Sequence, residues 1–269
     1  MLYHDQHMHS FYSEDSHEDL RNYYLEAKKL GIKYVCTCEH FDFETIISGK
    51  TWCADFDSAI KYREELKKEF PDIIPLLGVE LGYKPTSVKA ITELSNKYPF
   101  VIIQLSIHDN NVFDYYYPDQ FGDYRETLND YFNLMLDGVT NFDNFDSLSH
   151  LDYGFKTALM IDKDLKLEEF EDIITKILKV LIKKNKCLEI NSKVQNKIFG
   201  ITNNYDNLEY LLKLYKSLGG TKLTLSSDAH EVKFYRSNFP LYMDIIKKNG
   251  FNKLSYFIKR KEYFYDIDW

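Results

Sequence analysis

Asp5-Gln-His7-Met-His9 sets two imidazoles and a carboxylate at alternate positions. Side chains alternate across an extended strand, so Asp5, His7 and His9 are expected to project from one face. Two imidazoles one pleat apart, with a carboxylate beside them, form half of a metal site. A pair of buried, hydrogen-bonded histidines explains the same residues more simply. Recurrence separates the two readings. Lys33 to His40, Ile73 to Glu80, Phe100 to His108, Asp146 to Asp152 (through His150) and Lys222 to His230 (through Asp228) are strand-like runs that carry a histidine or carboxylate at their ends. An unpaired charge at the end of a buried strand is expensive. Separate core histidines would need a separate explanation at every one of these ends. His4 and His17 fall outside the pattern and are assigned to the surface.

The elements that must position these residues alternate along the chain. Helices are predicted from a Ser16 cap to Gly31, then over about Asp55–Glu69, Ser87–Lys97, Tyr124–Asp137, Leu167–Lys184, Asn207–Leu218 and Leu241–Lys248. A further strand is predicted at Cys187–Asn191. Strands and helices alternate seven times, which predicts a parallel sheet with helical crossovers. The expected fold is α/β, a distorted (β/α)7 barrel formed by one domain spanning residues 1–269. In such a barrel the C-terminal strand ends converge on one face, where active sites are built. The loop Phe41–Ala54, with Trp52, is expected to act as a lid or pocket wall, and the tyrosine-rich loop Asp109–Asp123 lies on the same side. The aromatic tail Phe257–Trp269 is expected on the barrel bottom or against a second subunit.

Six imidazoles and at least three carboxylates (Asp15, Glu80 and Asp228) exceed the needs of a single four-coordinate ion. They suffice for two or three divalent ions, and mixed nitrogen and oxygen ligation suits Zn, Mn or Fe. Cys36 and Cys38 are expected as reduced, buried strand residues below the ligands. The formal charge of −8 argues against a nucleic-acid surface. None of the four cysteines forms a C-x-x-C pair, and no apolar run approaches a membrane span, so a cytoplasmic, membrane-free protein is expected.

Asp5-x-His7-x-His9, Glu39-His40, Gly78-Val-Glu80, Ser106-Ile-His108, Ser149-His150-Leu-Asp152 and Ser227-Asp228-Ala-His230 occur in that order. This set resembles the PHP (polymerase and histidinol phosphatase) superfamily over essentially the whole chain. The length and the Leu188-Glu-Ile-Asn191 strand resemble its monofunctional histidinol-phosphate phosphatase branch. The resemblance implies His7, His9, Glu80 and Asp228 on a first metal. Glu80 would bridge to a second, completed by His108 and His150, while Asp15, His40 and His230 would hold a third. Asp5 and Asp152 would orient imidazoles.

The implied reaction is hydrolysis of L-histidinol phosphate to L-histidinol and phosphate in histidine biosynthesis, by in-line attack of a metal-bound hydroxide. Glu80, Asp228 and His230 would surround the reacting centre. A cation would stabilise the phosphoryl oxygens; Arg236 is the first candidate, with Lys193 and Arg125 behind it. The competing readings are a phosphoesterase acting on another small phosphomonoester or nucleotide, and a non-catalytic metal-binding protein that kept the scaffold.

Overall fold

A computed structural model describes residues 5–193 and 205–267. Seven strands form the central sheet: β1 (Tyr34–Asp42), β2 (Trp52–Cys53), β3 (Ile74–Gly82), β4 (Ile103–Ser106), β5 (Ser147–Leu148), β6 (Cys187–Asn191) and β7 (Leu223–Ser226). Their spatial order is β2-β1-β3-β4-β5-β6-β7. From β1 to β7 every neighbouring pair is parallel. β2 alone folds back antiparallel, with Phe41 opposite Cys53. The helices are α1 (Leu20–Leu30), α2 (Phe56–Glu69), α3 (Val88–Lys97), α4 (Tyr124–Asn141), α5 (Tyr153–Ala158), α6 (Glu171–Lys183), α7 (Tyr205–Ser217) and α8 (Phe239–Lys248). None of them is long and apolar enough to cross a membrane.

The sheet curls until its two ends approach across residues 5–9. The His9 N–H donates to the Ala229 carbonyl and the Asp228 N–H to the His7 carbonyl, while the Cys38 N–H reaches the Met8 carbonyl, each at 2.8 Å. The predicted first strand is thus present as one parallel bridge, Met8 to Ala229, rather than as a regular ladder. Asp228 has φ of 48°, a left-handed conformation that Asp tolerates better than most residues. That bend ends β7 early and turns Asp228 and His230 toward the sheet axis.

Burial follows the predicted periodicity. In α6 the covered residues are Ile174, Ile177, Leu178 and Leu181, one helical face. β1 and β3 are buried on both faces over most of their length, as parallel strands under helices must be. Helix α1 begins later than predicted. Asp19 is its N-cap, accepting from the Arg21 N–H, whereas the Ser16 hydroxyl donates to the His230 and His9 carbonyls. Gly31 closes the helix at φ 69°, as expected.

The tail settles on the barrel bottom. β8 (Lys253–Ile258) and β9 (Lys261–Asp266) form an antiparallel hairpin. The Gln6 amide bonds both the N–H and the carbonyl of Phe257, at 2.6 and 2.7 Å. The Arg260 N–H donates to the Val101 carbonyl, and its side chain pairs with Asp146. Gln6, Val101 and Asp146 all precede their strands, so the hairpin covers the end opposite the histidines. His4 and Trp269 lie outside the described residues, and His17 is exposed, as expected.

Candidate metal centre

Glu80, near the end of β3, is 1% exposed and stands at the middle of the histidine cluster. One carboxylate oxygen, Oε2, faces His7 Nε2 at 3.0 Å, His9 Nε2 at 3.4 Å and His40 Nδ1 at 3.4 Å. The other, Oε1, faces His150 Nε2 at 2.7 Å and His108 Nε2 at 3.2 Å, and accepts from the Ser106 hydroxyl at 2.5 Å. Two oxygens presented to two sets of rings is the disposition a bridging carboxylate needs. Asp228 Oδ1 sits 3.3 Å from His9 Nε2 and 3.5 Å from His230 Nδ1. Asp15 Oδ2 lies 2.9 Å from His230 Nε2 and 3.5 Å from His40 Nε2.

The donor atoms meet the demands of divalent ions. Four overlapping triads, His7/His9/Asp228, His7/Glu80/His150, His40/Glu80/His108 and His9/His40/His230, each bring their nitrogens and oxygens within 4.8 Å of one another. The Nε2 atoms of His7 and His9 are buried without a hydrogen bond. An orphaned buried imidazole nitrogen is costly, and a cation between it and the facing carboxylates would satisfy it. No thiolate joins the set: Cys38 is buried and its Sγ donates to the Gln6 carbonyl at 2.9 Å. All four cysteines are free.

Electrostatics follow from the crowding. Burial opposes charge on His7 and His108, yet the facing carboxylates outweigh it, raising His7 well above its ordinary value and His108 to about 10. At His9, burial and the neighbouring rings of His230 and His40 push the pKa down to about 3, which keeps that imidazole a neutral donor. Burial alone would raise Glu80, but His7, His40 and His108 hold it well below the usual carboxylate range.

Behind the ligands stands a layer of buried acceptors. Glu189 Oε1 lies 2.7 Å from His7 Nδ1, and its other oxygen accepts from the His150 N–H at 2.9 Å. Asp42 bridges two rings, at 2.7 Å from His108 Nδ1 and 3.1 Å from His40 Nδ1. The Ser13 hydroxyl faces His9 Nδ1 at 3.2 Å and donates to Glu39, which pairs in turn with Arg63. Such partners set tautomer and ring orientation in metal sites. Above the ligands opens a cavity of about 350 Å³, walled by Trp52, Asp114, Tyr116, Tyr117, Tyr153 and Lys193.

The PHP domain matches residues 5–193. The chain belongs to the PHP family. The histidinol-phosphatase of Lactococcus lactis subsp. lactis (strain IL1403) is 31% identical over 257 residues, covering 94% of this chain and 93% of the relative. A probable histidinol-phosphatase of Clostridium acetobutylicum is 29% identical, over 84% of this chain and 86% of its own. The crystal structure of the Lactococcus lactis histidinol phosphate phosphatase, complexed with zinc, L-histidinol and phosphate, superposes with a TM-score of 0.84 at 29% identity, covering 96% of this chain and 98% of that one.

The PHP fold gathers all nine expected ligands (His7, His9, Asp15, His40, Glu80, His108, His150, Asp228 and His230) at one end of the sheet. Two of them, Asp228 and His230, come from beyond the matched segment. Of the three expected cations, only Lys193 reaches the cavity, its Nζ 3.2 Å from both Asp228 Oδ2 and His230 Nδ1. Arg236 is turned over the Phe239 ring, 5.4 Å from its centroid, at a backbone bend with φ of 55°. Arg125 lies on the surface, paired with Glu169 and Asp162. Asp5 and Asp152 orient no imidazole. Asp5 accepts from Ser227 and from the His7 N–H, and Asp152 pairs with Lys156 one helical turn on. The lid loop contributes Thr45, Ile47 and Trp52 to the wall, but Phe41 and Asp42 belong to β1.

Proposed function

We propose that this protein is a metal-dependent histidinol-phosphatase, hydrolysing L-histidinol phosphate to L-histidinol and phosphate, with residues 1–269 acting as one phosphoesterase domain. The reading rests on five imidazoles converging on Glu80, with a sixth, His230, facing Asp15 and Asp228, beneath a cavity sized for a small ester, and the zinc, histidinol and phosphate complex of the similar Lactococcus lactis protein supports it. The ions are two or three of Zn, Mn or Fe. His7, His9, Glu80 and Asp228 hold the first, Glu80 with His108 and His150 the second, and Asp15, His40 and His230 the third.

Divalent ions held there supply an activated water and offset the charge that develops on the phosphoryl group. The chain's own residues do the rest. Glu80 sets the spacing of the two main positions through its two oxygens. Glu189, Asp42 and Ser13 hold His7, His108 and His9 with a ring nitrogen turned inward. Lys193, kept protonated despite burial by Asp228 and Asp15, takes the phosphoryl oxygens that the ions leave free. Trp52, Tyr116 and Tyr153 exclude water and give the imidazole of the substrate aromatic faces to pack on. The free cysteines suit a reducing, cytoplasmic setting.

The test is phosphate release from L-histidinol phosphate against sugar phosphates, nucleotides and p-nitrophenyl phosphate, in defined Mn or Zn. A preference of about a thousandfold, equivalent to about 4 kcal/mol of differential transition-state binding, is expected. A flat profile would remove the specific substrate and leave a general phosphoesterase.

A further inference from the structure

The carboxylates on the cavity wall are nearly all spoken for. Asp15, Glu80 and Asp228 face histidines, Asp42 lies between His40 and His108, and Asp109 is paired with Lys84 at 2.7 Å. Asp114 differs. It is 5% exposed and lines the same cavity, yet it makes no ion pair with any described lysine, arginine or histidine. Its position is well determined. Oδ1 accepts from the Tyr116 N–H at 2.7 Å, its own N–H donates to Gln120 Oε1 at 2.8 Å, and residues 109 and 114 form a backbone bridge. Burial, with the Asp109 and Asp42 carboxylates nearby, pushes its pKa up to about 6 against the pull of the Tyr116 N–H and of His108, so at neutral pH it is a carboxylate with no described cation in contact. Tyr116, Tyr117 and Tyr153 line the same cavity, and aromatic rings of this kind favour a cation.

We propose that Asp114 reads the ammonium group of an amino-alkyl phosphate substrate, making it a specificity-determining residue of the cavity wall. The assignment rests on the function proposed above. L-histidinol phosphate carries its amine on the carbon next to the one bearing the phosphate ester, so an ester seated at the ions presents that amine to the wall nearby. A buried carboxylate that meets an ammonium discriminates against an analogue lacking it, because the analogue leaves the charge unpaired.

The experiment compares kcat/KM for L-histidinol phosphate and for its des-amino analogue, 3-(imidazol-4-yl)propyl phosphate, in the wild type, Asp114→Asn and Asp114→Glu, with p-nitrophenyl phosphate as a third substrate. Wild type is expected to favour the amino ester over its analogue by at least about tenfold. Asp114→Asn should bring that ratio to about one through a raised KM for the amino ester, and Asp114→Glu should restore most of it. A ratio unchanged in Asp114→Asn, or an equal loss on both esters, overturns the assignment. If wild type treats L-histidinol phosphate no better than p-nitrophenyl phosphate, the proposed function itself fails, a result distinguishable from failure of Asp114 alone.

Discussion

His7 Nδ1 lies 2.7 Å from Glu189 Oε1, and both side chains are wholly buried. The contact turns the opposite nitrogen, Nε2, toward Glu80 and ties β6 to the segment that closes the sheet. Glu189 also accepts from the His150 N–H, so one carboxylate fixes two ligand positions. Glu189→Gln should therefore weaken metal retention about 10- to 100-fold. Metal content after dialysis against a graded chelator series checks this, and retention equal to wild type would remove Glu189 from the site.

Glu80 is the residue whose loss should be felt most widely, since its two oxygens face five imidazoles. Glu80→Gln keeps the shape and removes the charge. Phosphatase activity is expected to fall by at least about a thousandfold, together with a drop in bound metal per chain by elemental analysis. Unchanged activity would sink the catalytic assignment.

Much of this centre was legible in the chain because its ligands interrupt apolar strands at their ends, where nothing but a partner explains a charge. Glu80 and His108 are visible for that reason. Glu189 carries the same signal, a carboxylate inside Cys187-Leu-Glu-Ile, but it sits mid-strand, where the ligand-at-the-rim expectation does not look. Asp42 falls two residues beyond His40 and reads as loop, because the length of β1 depends on pairing with β3 out to Gly82. Which of the three candidate cations reaches the cavity was not legible. Whether Lys193 or Arg236 reaches the cavity turns on the backbone bends after β6 and β7, which no local pattern announces. Strand lengths failed for a similar reason: β4 and β5 stop where their neighbours stop pairing, not where the apolar run ends.

Gly82 and Asp42 meet side by side in the β1–β3 ladder, and a Cβ at position 82 would overlap the Asp42 carboxylate. Gly82→Ala must push Asp42 away from His108 and His40. The expected result is a selective loss at the second and third metal positions, read as a fall in metal stoichiometry per chain, with the fold retained by circular dichroism. Full stoichiometry would show that Asp42 can move without loosening the rings.

Arg63 is 4% exposed, and its guanidinium lies 3.2 Å from Glu39, the acceptor beneath Ser13 and His9. Removing one partner of a buried pair strands the other charge. Arg63→Met should destabilise the protein by about 3–5 kcal/mol, whereas Arg63→Met with Glu39→Gln should recover much of it. Urea denaturation of the two variants decides the point. A single substitution no worse than the double would mean that Glu39 is sufficiently satisfied by Ser10, Ser13 and Thr37.

Asp114 also predicts a pH dependence whose sign can be worked out. Its folded pKa, about 6, lies above the ordinary value of 3.8, so the folded state holds the proton more tightly than the unfolded chain does. Stability is then lost as pH rises from about 4 through about 6, and the penalty is complete above that window. That difference between the folded and unfolded chain corresponds to at most about 3 kcal/mol. Asp114→Asn does not titrate, so its stability relative to wild type should climb across the same window and level off by about pH 7. Paired denaturation curves from pH 4 to 8 measure this, and taking the difference between the two proteins cancels the loss of metal at low pH common to both. A difference that stays flat with pH would mean that Asp114 already has a cation beside it, and would remove the carboxylate without a contacting cation that its role in amine recognition requires.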